Sequence, residues 1–208
     1  SRGLGDVYKR QVVFFSCGSF CKGSLQVAPG TPFGGEFGFI SQDRRHRLVQ
    51  LHNADGAFDK LVLIREFRAG SDARERPRLA PEQLQGHWRG EAETITADWP
   101  EPERASTDLE VDWSDGALLL RSTVDQQSSE LRASGDSTVL SLSGDPPARL
   151  TLLPDGGGHI SPERVSHRQG FAVEAFWLEG DGQLQRLIRR YDASGAWRSA
   201  TWMGLRRG

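Results

Sequence analysis

One stretch of this chain and its echo limit what it can fold into. Residues 171–207, FAVEAFWLEGDGQLQRLIRRYDASGAWRSATWMGLRR, read as three consecutive strands: Phe171 to Leu178, Gln183 to Tyr191 and Ala196 to Leu205. β-Branched and aromatic residues cluster there in runs bounded by Gly and Asp. The turns between them, Glu-Gly-Asp-Gly at 179–182 and Asp-Ala-Ser-Gly at 192–195, place glycine where a tight reversal calls for positive φ. Sliding the sequence by 139 positions sets His46 to Arg68 on Gln185 to Arg207 without a gap. Arg47 then falls on Arg186, Leu48 on Leu187 and Gly56 on Gly195, while Val49/Ile188, Asn53/Asp192 and Phe58/Trp197 are close exchanges. With a one-residue gap Glu36-Phe37 falls on Glu174 to Phe176, and Ser24 to Pro29 resembles Arg149 to Pro154. A shared order of strand, turn, strand, turn, strand predicts a duplicated β unit.

The remainder supplies more strands and almost no helix. Ser1 to Gln11, SRGLGDVYKRQ, matches the translation of a common sequencing adaptor and is set aside from fold reasoning, so the natural amino terminus is expected to lie outside this sequence. Val12 to Phe15, Ser24 to Ala28 and Glu36 to Ile40 read as strands, with Ser16 to Gly23 a turn or strand edge. By the repeat, residues 12–68 correspond to the last half of a domain, and the first barrel is expected to be incomplete, with an open edge strand. Residues 69–80, AGSDARERPRLA, have no apolar periodicity, carry many charges and include Pro77, which marks a linker. Pro81 to Gly86 suits one helical turn. Trp88 to Ala97, Thr107 to Trp113, Ala117 to Val124, Ser128 to Ala133, Ser137 to Ser143 and Arg149 to Leu153 then read as strands before the final three. So many short antiparallel strands, with no helices to cover them, predict a closed barrel over residues 81–208, because closure removes both edges and buries one face.

Several function classes are excluded on composition. The formal net charge is −2 and becomes about −4 without the first eleven residues, which argues against a nucleic-acid partner that would need a basic face. No apolar run approaches the roughly 20 residues that cross a bilayer, so no membrane insertion is expected. Cys17 and Cys21 have no His or Cys neighbours at zinc spacing and read as two reduced thiols, with no metal. His46, His52, His87, His159 and His167 are scattered and no Ser sits in a Gly-x-Ser-x-Gly elbow. The Pro-Asp-Gly-Gly-Gly run at 154–158 lies between strands, where no helix terminus can bind phosphate. His159 beside it is a candidate general base without a partner, and no enzymatic activity is expected.

Four segments together carry a family resemblance: QVAPGTPFGGEFGFISQDRRHRLVQLHNADGAFDKLVLIREFRAG, LQGHWRGEAETITADW, LLPDGGGHISPERV and RLIRRYDASGAW. They resemble the cyanobacterial and chloroplast family of two calycin-like barrels, formerly a domain of unknown function and now named after the plastid biogenesis factor required for ATP synthase. The resemblance implies a non-catalytic assembly factor, without cofactor, that contacts the β and γ subunits of the ATP synthase catalytic head, in a cyanobacterial cytoplasm or a chloroplast stroma. The alternative, by analogy with calycin-fold bilin lyases, is a carrier or lyase for a bilin or another small hydrophobic ligand. For that reading Glu174 and Arg189 would face the ligand's polar groups and Trp177, Tyr191 and Trp202 would wall it, with Arg189 and Tyr191 rather than Arg186 and Arg190 pointing inward. The structural alternatives are an internal ion pair for Glu174 and core packing for the tryptophans. Trp88 is expected to floor the barrel under Arg206 or Arg207.

Overall fold

The computed structural model describes residues 12–208; the adaptor-like segment lies outside the described residues. Five strands, β1 (Val12–Phe14), β2 (Phe20–Gly23), β3 (Phe33–Ile40), β4 (Arg44–His52) and β5 (Phe58–Phe67), form an open antiparallel sheet in sequence order. After a 3-10 turn at Pro81–Leu84, ten more strands follow: β6 (Gly86–Thr96), β7 (Glu103–Ser114), β8 (Ala117–Val124), β9 (Gln127–Ser134) and β10 (Val139–Leu142), then β11 (Ala148–Leu152), β12 (Gly157–Pro162), β13 (Phe171–Gly180), β14 (Gln183–Tyr191) and β15 (Trp197–Arg207). Each pairs with its neighbour in sequence, and β15 pairs with β6 to close the barrel. The all-β architecture expected from the sequence, one closed antiparallel barrel preceded by an unclosed sheet, is therefore the one this chain adopts.

Alternation sorts the barrel side chains into two cores. Trp88, Leu109, Leu118, Leu150, Phe176 and Met203 point inward with their neighbours and fill the barrel. The alternate residues of β13 to β15, among them Val173, Ala175, Trp177, Leu187, Tyr191 and Ala200, point outward, yet they too are buried, because the five-stranded sheet lies against them. Phe33, Phe37, Phe39 and Leu48 are its contribution. Each fully buried side chain of this size contributes about 1.5–3 kcal/mol relative to exposure. Such a layer is enough to hold sheet and barrel together.

The repeat is written into that contact. Glu36 stands opposite Val49 in the sheet as Glu174 stands opposite Ile188 in the barrel. Val27 N–H donates to Gly195 O at 2.8 Å, and in mirror fashion Val165 N–H donates to Gly56 O at 2.9 Å. Trp197 N–H donates to Leu25 O and Phe58 N–H to Glu163 O, each at 2.8 Å. Tyr191 Oη–H donates to Ser24 O at 2.7 Å, and His52 Nε2–H to Pro162 O at 2.9 Å. The two units thus meet face to face about a pseudo-twofold axis, each clasping the hairpin turn of the other.

Three sequence expectations change. Ser24 to Ala28 makes one isolated bridge, Gln26 to Ala196, rather than a strand, and its counterpart is not residues 149–154 but the segment around Arg164, which bridges Ala57. β2 falls where a turn or strand edge is expected, and β12 begins in the glycine run expected only to connect strands. They are strands because small residues in the ladder admit neighbouring rings: Phe20 of β2 covers Gly38 of β3, and Phe176 of β13 covers Gly158 of β12. The barrel consequently has ten strands, where the sequence reads as nine between Trp88 and Leu205. The single helical turn at 81–86 is the 3-10 turn ending at Leu84.

The reciprocal clasp depends on two glycines. Gly56 and Gly195 have φ of +93° and +78°, and a Cβ would lie 2.5 Å from Val165 O and 2.9 Å from Val27 Cβ respectively. Gly56→Ala and Gly195→Ala are each expected to destabilise the chain by about 1–3 kcal/mol, from strain at positive φ plus the displaced clasp, as measured by denaturant unfolding. An effect near zero at both would show that the turns do not hold the two units together.

Candidate functional site

Polar groups gather in two places, one inside the barrel and one between barrel and sheet. Inside, Arg186 on β14 donates from Nε and Nη2 to both oxygens of Glu174 on β13, at 2.8 and 2.9 Å, and from Nη1 to Ser122 Oγ on β8 at 2.8 Å. Both members of the pair are buried. Four residues further along β14 the exposed Arg190 reaches Thr201 Oγ1, which also bonds Thr94. The opposite end is apolar and closed. Trp88 donates its indole N–H to Leu84 O at 2.8 Å, and the Arg207 guanidinium lies 4.5 Å above its ring.

The five residues expected to line one pocket do not share it. Glu174 faces the interior, but Trp177, Arg189, Tyr191 and Trp202 project from the outer wall into the layer shared with the sheet. The inward choice of Arg189 with Tyr191 is thereby reversed, and Arg186 and Arg190 are the inward arginines. The reason is the second apolar core: with β14 covered on both faces, its outward aromatics are as buried as its inward aliphatics, so burial pattern in the sequence cannot name the inner face. Arg207, rather than Arg206, covers Trp88; Arg206 turns outward into a cleft beside Glu179 and Gln183.

The interior ion pair recurs. Arg47 Nη1 donates to Glu36 Oε1 at 2.8 Å on the sheet face turned away from the barrel, the position equivalent to Arg186 and Glu174. Lys22 and Glu66 extend that copy at 3.0 and 2.7 Å. A pair kept at the same register in both units belongs to the fold before it belongs to any ligand.

The second polar group lies in the contact layer. Asp155, at φ +61°, accepts from His46 Nδ1–H and Arg44 Nη1, each at 3.1 Å, and from the Arg76 amide at 3.0 Å. It thereby ties the sheet and the connecting segment to the barrel. Burial works against the ionised carboxyl, but hydrogen bonds from His46 and the Arg76 amide outweigh it and hold Asp155 below the usual range. Burial also pulls His46 down, against the pull of Asp155, so a neutral ring stacked on Trp177 at 5.4 Å does the donating. His159 Nε2–H donates to Gln50 Oε1 at 2.6 Å across the layer. Burial, with His52 and Arg149 nearby, pushes its pKa to about 3. As a general base His159 is ruled out, being fully buried and already committed to Gln50. Cys17 is exposed and Cys21 buried, both free thiols. Among the described residues no cluster of His, Cys, Asp or Glu could hold a metal ion, and no helix is long and apolar enough to cross a membrane.

Sequence comparison assigns residues 75–207 to the family described as biogenesis factor required for ATP synthase 1, C-terminal domain. The chain belongs to that family. Residues 6–71 match the N-terminal domain of DUF3598, a domain of unknown function. A DUF3598-family protein of unknown function from the cyanobacterium Nostoc punctiforme is 38% identical and superposes with a TM-score of 0.89, over 95% of this chain and 75% of that one. An S-type phycobiliprotein lyase from Guillardia theta matches at 15% identity and a TM-score of 0.47, over 62% of this chain and 90% of that one. No curated protein matches. The family resemblance read from the sequence is thus confirmed.

Two outcomes follow from this geometry. Glu174→Gln leaves Arg186 buried without its counter-charge and is expected to cost about 3–5 kcal/mol in denaturant unfolding, whereas Glu36→Gln, in the more open copy, costs about 1 kcal/mol or less. Equal costs would mean that the interior pair is as well solvated as the exterior one. His46, His52 and His159 all bind protons less readily folded than unfolded, so their contribution to stability is complete above about pH 6.5 and is lost as the pH falls below it. His159 alone is expected to remove about 2 kcal/mol between about pH 7 and about pH 5, and His159→Gln to abolish that share of the acid sensitivity.

Proposed function

We propose that this protein is a non-catalytic biogenesis factor that binds subunits of the ATP synthase catalytic head, β and γ, before their permanent neighbours do. It would work in a cyanobacterial cytoplasm or a chloroplast stroma. Membership of the family named for ATP synthase biogenesis carries the reading. The packing supports it: Trp88, Leu118, Leu150 and Met203 fill the barrel, and its buried charges are spent on one another, which speaks for use of the outer surface and against a carried bilin. No cofactor is needed for such a role.

The outer surface offers a suitable anchor. Trp99, 58% exposed, stands on the β6–β7 turn, Asp98-Trp99-Pro100-Glu101-Pro102-Glu103. Two prolines lower the entropy lost when such a loop is fixed, and exposed tryptophans are the residues most often found at binding hot spots. Arg198 pairs with Asp98 at its base, leaving Glu101 and Glu103 to meet basic groups of a partner.

The test is capture of purified cyanobacterial ATP synthase β and γ subunits by the immobilised chain. Retention of either, weakened about tenfold or more by Trp99→Ala, is expected. If neither subunit is retained the assembly reading fails. Recovery of a coloured tetrapyrrole with the protein from a photosynthetic host would favour the carrier in its place.

A further inference from the structure

Arg189 is the anomaly in the contact layer. Its side chain is 1% exposed, and no carboxylate among the described residues lies within ion-pair distance. Its contacts are all with neutral groups: Nε to Tyr191 Oη at 3.2 Å, Nη1 to Cys21 Sγ at 3.7 Å and Nη2 to Ser24 O at 3.5 Å. Two of these are long, and the Tyr191 hydroxyl gives its own proton to Ser24 O. A guanidinium has five N–H donors, so two are left over. The guanidinium stacks 5.3 Å from the ring of Trp197, whose Nε1–H is buried and has no acceptor. A cation and an orphaned N–H thus lie side by side in a low-dielectric layer with nothing negative to receive them, an arrangement that ordinarily costs several kcal/mol.

The repeat separates packing from charge. At the position equivalent to Arg189 the sheet has Gln50, facing His159 where Arg189 faces Cys21, and the neutral pair closes with a 2.6 Å hydrogen bond. Phe58, without a donor, takes the place of Trp197. A guanidinium faces the ring in that copy too, Arg149 at 4.6 Å from Phe58, but it has Glu163 at 3.9 Å as its counter-charge. The barrel copy has a positive charge without such a partner beside an unpaired indole N–H. Gly23 lies against Arg189 so closely that a Cβ would be 3.2 Å from Nε.

We infer that Arg189 and Trp197 Nε1–H bind a small inorganic anion of chloride size between sheet and barrel. The anion accepts from both, supplies the missing counter-charge and makes the contact between the two units depend on anion concentration.

Bromide is the probe, applied to the whole chain. Crystals soaked in bromide are expected to give an anomalous peak within hydrogen-bond distance of Arg189 and Trp197 Nε1. The unfolding midpoint is expected to rise by about 3–5 °C per tenfold increase in bromide once the site fills, relative to sodium gluconate of equal ionic strength, whose anion is too large to enter. Arg189→Gln, which installs the residue of the other copy, should lose both signals. Trp197→Phe, a milder change should that variant fail to fold, should keep the fold and weaken the bromide response at least severalfold. A midpoint equally insensitive to bromide and gluconate in the unaltered protein overturns the inference. So does a bromide response unchanged in either folded variant, and so does a peak without a bromide-dependent midpoint, which marks an adventitious ion only.

Discussion

The fold depends on an unusual demand placed on one stretch of wall. Strands β13 to β15 are apolar on both faces, inward toward the filled barrel and outward toward the sheet. An antiparallel barrel in water ordinarily needs only its inner face covered. Here the outer face carries Trp177, Leu187 and Tyr191, and would be a large apolar patch if the five-stranded sheet were absent. The sheet is in the same position, since Phe33, Phe37 and Phe39 can be buried only against that wall. Each unit is thus part of the other's core, and the reciprocal hydrogen bonds at Gly56 and Gly195 set how they meet.

Much of the polar chemistry follows from that sandwich. Once the layer is closed, Asp155, His46, His52, His159 and Arg189 lie in low dielectric, where every donor and acceptor must be matched. Asp155 and His46 satisfy one another, and His159 and Gln50 do the same. Arg189 carries a charge with no carboxylate among the described residues in ion-pair distance. Burial also explains why these histidines are proton-poor, and hence why a contact layer with little surface chemistry should still respond to acid.

In the proposed reading, function sits on the outer surface. A barrel packed with side chains and an interior pair repeated as Glu36 and Arg47 leave the interior to structure. Family membership points to partners of the ATP synthase, and an exposed tryptophan on a proline-stiffened acidic turn is the kind of feature such a partner could grip. Affinity from one anchor and a modest surface would suit a factor that must later leave.

The amino-acid sequence by itself determined the duplication, the antiparallel meander, the closed barrel and the family. Those rest on local features: runs of strand formers, turn glycines and a succession of elements matched residue by residue between Arg47 and Arg186, Gly56 and Gly195. It also led to the expectation that Trp88 floors the barrel, without choosing between Arg206 and Arg207 as its cover. Only the tertiary structure decided which way β14 faces, placing Arg186 inside and Arg189 outside, and that Gly157–Pro162 is a strand. Alternation distinguishes two faces but names the inner one only when the other meets water. With a second unit packed on the wall, both faces are dry, and nothing short of the packing itself can say which is which.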